Sequence, residues 1–174
     1  GLGAPYWDPK ARGAIVGITR GTKASHLARA TLDAMALQNV DILKAMEKDL
    51  GKKLKDLRVD GGAAANNLLM KLQADYLGSV IYRPKMIETT AAGAAYLAGL
   101  GVGFWSDLNE IRKVWAVDKE FESDMKRSER EARITQWHRA VAQSMCHETV
   151  GKRKPVKKKK SKLKKKASRK KSSK

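Results

Sequence analysis

Between Leu57 and Asn67 the chain reads Leu-Arg-Val-Asp-Gly-Gly-Ala-Ala-Ala-Asn-Asn, and this stretch limits the fold more than any other. Leu57 and Val59 alternate with charged residues as in a half-buried strand, and from Asn66 through Leu72 the pattern switches to helical spacing. Gly61 and Gly62 mark the junction. Lacking a Cβ, they accept positive φ and let a flat ring or a phosphate approach the backbone, next to a helix start whose first N–H groups are unpaired. Asn66 and Asn67 are poor helix formers and fall in the expected first turn, where their amides bond either a ligand or the backbone. An Asp-Gly-Gly turn before a helix is also common as a plain connection, so the stretch alone leaves both readings open.

The flanking sequence supplies a frame. An opening loop with Pro5 and Pro9 is expected to be extended, with Tyr6 and Trp7 plugging a core edge. Gly13–Ile18 reads as a short buried strand, closed by the turn-like Thr19-Arg20-Gly21-Thr22. Ser25 is a candidate N-cap for a long amphipathic helix to Leu50, in which Leu32, Ala36, Val40, Leu43, Met46 and Leu50 recur every three or four residues and Gly51 provides a C-terminal cap. After the Gly-Gly turn a helix is expected to run to Leu77 and stop at Gly78, followed by a strand over residues 79–84. Thr89 is a candidate cap for a helix rich in Ala and Gly (Ala91 to Gly99), whose small side chains suit close approach to a sheet or another helix. Beyond Gly103 we expect a short helix from Ser106 to Lys113, an extended Val114–Val117, and a charged helix from Met125 to about Met145 presenting Ile134, Trp137, Val141 and Met145. Alternating strands and helices argue an α/β fold.

The net charge of +19 suggests a nucleic-acid binder until it is located. Residues 151–174 hold 15 of the 37 Lys and Arg and no acid, so 22 bases face 18 acids over residues 1–150 and the folded part is nearly balanced. The Lys-rich segment is expected to be disordered and to attract RNA, DNA or anionic surfaces without sequence preference, because no aromatic is interleaved to stack on bases. A single cysteine, Cys146, rules out an intrachain disulfide. His138, Cys146 and His147 do not match a zinc pattern. No apolar run reaches the ~20 residues of a bilayer span. The chain opens on Gly1 inside a loop, which reads as a piece of something longer.

Taken in order, several segments closely resemble the glycerol kinases of the FGGY carbohydrate kinase family. They are Ala4-Pro5-Tyr6-Trp7-Asp8-Pro9, Ala11 through Ile15 with Thr19-Arg20-Gly21, His26-Leu27 with Ala30-Thr31-Leu32-Asp33, Arg58 through Ala63 with Asn66-Asn67, and Glu88 through Leu100 followed by Gly103-Phe104-Trp105. The resemblance covers about residues 1–148 and stops before the Lys-rich segment.

It implies an incomplete second domain of a ribonuclease H-like, actin-like ATPase fold over residues 1–105 and a helical extension packing on it over 106–148; composition, not the resemblance, adds a disordered basic tail over 149–174. The resemblance further implies that Gly62 and Asn66 contact ATP or ADP while Asp60 and Gly61 shape the supporting turn. The glycerol site, first phosphate loop, Mg²⁺-binding acid and catalytic aspartate belong to the family's N-terminal domain, so no catalytic or metal-binding residue is assigned here. ATP, Mg²⁺ and glycerol are the implied ligands of a cytoplasmic, homo-oligomeric complete enzyme. The competing reading is a noncatalytic, kinase-derived domain with a nucleic-acid-binding tail. In the family's fold two central strands precede the match to Gly13–Ile18. The strands near Ala14–Ile18, Leu57–Asp60 and Val80–Tyr82 are therefore expected not to form one contiguous ladder, leaving the chain alone unstable and inactive.

Overall fold

A computed structural model describes residues 1–145. The basic segment and the pair Cys146 and His147 lie outside the described residues. Helix α1 spans Ala24–Leu50 and ends on Gly51, whose φ of 67° gives the left-handed cap that the sequence suggests. Its N-terminus is set by Lys23 rather than Ser25, and the Lys23 backbone N–H donates to Nδ1 of His26 at 3.3 Å. Strand β1 (Asp56–Arg58) leads through a 3₁₀ turn (Gly62–Ala65) into α2 (Asn67–Leu77), which stops at Gly78, again with positive φ. Strand β2 (Val80–Pro84), α3 (Thr89–Gly101), α4 (Leu108–Val114), β3 (Val117–Phe121) and α5 (Arg127–Ser144) follow.

The three strands form a mixed sheet in the order β1-β2-β3. β1 lies parallel to β2, with Leu57 opposite Ile81, and β3 lies antiparallel, with Phe121 opposite Ile81. The parallel pair is joined through α2, the crossover that such pairing requires. β3 arises within the region expected to be a helical extension, so that region also completes the sheet, and the extended segment expected at Val114–Val117 is shifted toward Phe121.

The core gathers around α2 and β2. Ala36, Leu37 and Val40 of α1, Leu69, Met70, Leu72 and Tyr76 of α2, Ile81, Phe121 and Ile134 are buried together. Ile81 is fully enclosed, a burial worth about 1.5–3 kcal/mol. Asp41, on α1, is 5% exposed and ties three segments together. Its carboxylate accepts from the Tyr6 hydroxyl at 2.7 Å and Trp137 Nε1 at 2.6 Å, and lies 2.8 Å from His138 Nε2. Burial first, then the Asp41 carboxylate, holds the Tyr6 hydroxyl protonated well above the ordinary tyrosine range.

Four further expectations are corrected. Residues 13–18 form no strand: Ile15, Val16 and Ile18 are 65%, 47% and 62% exposed, because no neighbouring strand among the described residues offers them a ladder. Trp7 is 75% exposed, so of the opening aromatics only Tyr6 reaches the core edge. The small-residue helix α3 has no buried residue, and its close contact is with its own C-terminal extension: a Cβ at Gly99 would lie 2.6 Å from Cδ1 of Trp105. In α1 the C-terminal apolar residues Met46 and Leu50 are exposed, while Leu37, off the expected stripe, is buried. No helix among the described residues is long and apolar enough to cross a membrane.

Candidate functional site

The turn after β1 is held at both ends. On the strand side the Val59 N–H donates to the Tyr82 carbonyl at 3.1 Å, which prolongs the parallel pairing past Arg58. Gly61 then takes φ of 80°, a conformation that side chains rarely adopt, and its N–H donates to the Ile87 carbonyl at 2.7 Å. Asp60 accepts a hydrogen bond from the Thr89 hydroxyl at the start of α3. Thr89 thus serves the turn and not as a helix cap, the N-cap position being Glu88.

The helix does not begin directly after the glycines, as the spacing suggests. A 3₁₀ turn intervenes, closed by Ala64 N–H to Gly61 carbonyl at 3.0 Å and Asn66 N–H to Ala63 carbonyl at 3.2 Å. Ala64 points into the core, 1% exposed, whereas Gly62, Ala63, Ala65 and Asn66 are exposed. Asn66 is the N-cap of α2: its Oδ1 accepts from the Leu69 N–H at 3.1 Å. That bond engages Oδ1 and leaves Nδ2 of this exposed residue with no hydrogen-bond partner among the described residues. At Gly62 a Cβ would meet no atom within 4 Å, so the space above it is open. Of the four residues singled out from the sequence, Gly62 and Asn66 therefore face solvent across one 3₁₀ turn, and Asp60 and Gly61 anchor that turn to α3 and the residues before it.

Sequence reasoning missed the opposite anchor. Arg83 of β2 places its guanidinium beneath the turn. Nη1 donates to the carbonyls of Ala64 at 3.1 Å and Ala65 at 3.3 Å and to Oδ1 of Asn67 at 2.8 Å, while Nε and Nη2 lie 2.8 and 2.7 Å from Oδ2 of Asp118 on β3. The one sequence signal is a cation inside an otherwise apolar and aromatic strand, beside Pro84. Nearby, Arg58 stacks over the Trp115 ring at 4.2 Å and covers the outer end of β1. Asn67, expected to address a ligand or the backbone, instead bonds Arg83.

Comparison with known proteins places this turn in context. Residues 1–102 match the C-terminal domain of the FGGY family of carbohydrate kinases. Over 141 residues the chain is 60% identical to a glycerol kinase of Bdellovibrio bacteriovorus, covering 81% of this chain and 28% of that protein. A glycerol kinase of Dechloromonas aromatica is 59% identical over 145 residues, 83% of this chain and 29% of that one. Among solved structures, Plasmodium falciparum glycerol kinase with ADP superposes with a TM-score of 0.74 at 35% identity, over 84% of this chain and 29% of that one. The chain thus spans less than a third of the length of these relatives.

Proposed function

This chain belongs to the FGGY family of carbohydrate kinases, and from that premise we propose that it forms the C-terminal, adenosine-binding portion of an ATP-dependent glycerol kinase. The complete enzyme transfers the γ-phosphate of ATP to glycerol and releases sn-glycerol 3-phosphate and ADP. The observation that carries this reading is the open, doubly anchored turn at Gly61–Asn66: an unobstructed Gly62 and an exposed Asn66 with its Nδ2 unused suit a flat adenine and its ribose. The likeness to a glycerol kinase solved with ADP supports it.

In this reading Gly62 lets the nucleotide lie against the backbone, Asn66 offers a donor, and Asp60 and Gly61 hold the turn in shape. Catalysis of phosphoryl transfer is mostly positioning and charge stabilisation. Orientation of the glycerol hydroxyl falls to residues outside this chain, and no catalytic residue is assigned within it. The described residues contain no group of three or more His, Cys, Asp or Glu that could hold a metal ion, and no step is derived through one.

Gly62→Val in the complete enzyme tests the assignment. A Cβ there meets no protein atom within 4 Å, so stability should hold while ATP affinity falls about tenfold or more and glycerol affinity stays constant. Equal ATP Kd values for the variant and its parent, by calorimetry, would overturn it. We also propose that residues 151–174 bind polyanions through their 15 cationic side chains. Heparin and RNA affinity should fall steeply with salt and vanish when those residues are removed. Binding that survives the truncation would move the site to the folded part.

A further inference from the structure

Asn66 and Gly62 stand on a turn that makes few contacts of its own with the core beyond Ala64. Besides the backbone bonds of the turn and the Asn66 cap, its C-terminal half is held by one distant side chain. The Arg83 guanidinium, only 12% exposed, spends one nitrogen on the carbonyls of Ala64 and Ala65 and on the Asn67 side chain, the residues immediately before and after Asn66. Its other two nitrogens engage Asp118, and its face lies 5.3 Å from the Phe121 ring.

The sheet is irregular at this point in a way that makes the clamp. Arg83 pairs with Lys119 and Pro84 with Val117, so Asp118 has no partner in the ladder. A bulge of this kind re-aims a side chain, and here the carboxylate meets the Arg83 fork. The acid neutralises the cation and fixes the guanidinium plane, leaving Nη1 directed at the turn.

We propose that Arg83, held by Asp118, is a positioning residue for nucleotide recognition: it sets the place of Asn66 and Gly62 without touching the ligand. This rests on the nucleotide reading given above. A lysine cannot reproduce it, since a single ammonium does not span Asp118 and three acceptors on the turn, whereas the planar fork does.

The test uses the complete enzyme with Arg83→Gln, Arg83→Lys and Asn67→Ala, ADP as the calorimetric probe, and separate KM values for ATP and glycerol. Losing charge-assisted bonds to the turn should weaken ADP about tenfold in Arg83→Gln, less in Arg83→Lys and least in Asn67→Ala, which breaks one arm only. KM for ATP should rise in step, with KM for glycerol and kcat unchanged. If Arg83→Gln does not fold, the graded effect of Arg83→Lys and Asn67→Ala decides. An unchanged ADP Kd in the folded variants, or KM values for ATP and glycerol rising together, would overturn the proposal. Gly62→Val separates the two claims. If it weakens ADP while the Arg83 variants do not, only the positioning role fails; if none of them does, the nucleotide reading fails and the positioning role with it.

Discussion

Two regions of this domain are both rich in apolar residues and end in opposite states. Around α2 and β2, Leu69, Met70, Leu72, Tyr76 and Ile81 are nearly sealed from water by α1, α5 and β3. Across residues 12–31, α3 and the turn that follows it, by contrast, Ile15, Val16, Ile18, Leu27, Leu97, Val102 and Phe104 lie open, several of them more than 60% exposed. The difference lies in partners and not in composition. The first region has three helices and a sheet converging on it. In the second, residues 13–18 have no strand beside them among the described residues, and α3 touches little there but its own C-terminal turn. Exposed apolar residues in such numbers mark a surface built to be covered. The chain spans less than a third of its relatives' length, and cover from the remainder is what the following experiments test.

The strongest way to break this contrast is to supply or withhold that cover. Residues 1–174 alone are expected to show no glycerol phosphorylation, weak near-ultraviolet circular dichroism and rapid proteolysis, the cleavages falling first in residues 12–23. Addition of the remaining portion of the Bdellovibrio bacteriovorus relative should restore part of each. A domain with net stability of ~5–15 kcal/mol does not absorb so much exposed apolar surface and lost strand pairing without loosening. A cooperative thermal transition in the isolated chain, with ATP-dependent protection from protease, would reverse this view and favour an independent nucleotide-binding protein.

A pair of isoleucines sharpens the same contrast. In the complete enzyme Ile81→Ala, at a fully enclosed position, should cost about 2–5 kcal/mol in denaturant unfolding. Ile18→Ala, 62% exposed here, should leave the protease sensitivity of the isolated chain unchanged. In the complete enzyme it should approach the cost of a buried residue. A cost that stays negligible there would show that residues 13–18 are plain surface.

The same contrast explains what was legible in the sequence. Gly51 and Gly78 announce helix ends because the left-handed cap is a local requirement, and both helices stop there. The Gly-Gly turn was legible for the same reason, since the positive φ falls at Gly61. Gly13–Ile18 carries an equally good strand pattern and forms none, because a strand exists only with a neighbour. The Arg83 clamp left little trace: its acceptors lie 16 to 35 residues away and depend on a bulge at Asp118 that no local pattern encodes. The family fold anticipated by resemblance is upheld by the match to the FGGY C-terminal domain.

The smallest expected effect is alkaline. Tyr76 sits on the packed side, 2% exposed, with its hydroxyl donating to Asp33 of α1 at 2.8 Å. Burial, and after it the bond to the Asp33 carboxylate, pushes the Tyr76 hydroxyl up to about 12 from the ordinary value of 10.0. In the unfolded chain the same hydroxyl ionises at its ordinary value, so the unfolded state loses its proton first as pH rises. The stability carried by protonated Tyr76 is therefore complete below about pH 10 and drains away as pH climbs toward 12. Tyr6, shifted in the same direction by burial and Asp41, adds to the loss. Measured as urea midpoints in the complete enzyme, stability should fall between pH 10 and 12, and Tyr76→Phe should lower the midpoint slightly at neutral pH while flattening that decline. An alkaline slope identical in Tyr76→Phe and its parent would mean that the link between α1 and α2 is not closed by this hydroxyl, and that the packed side owes its cohesion there to apolar contact alone.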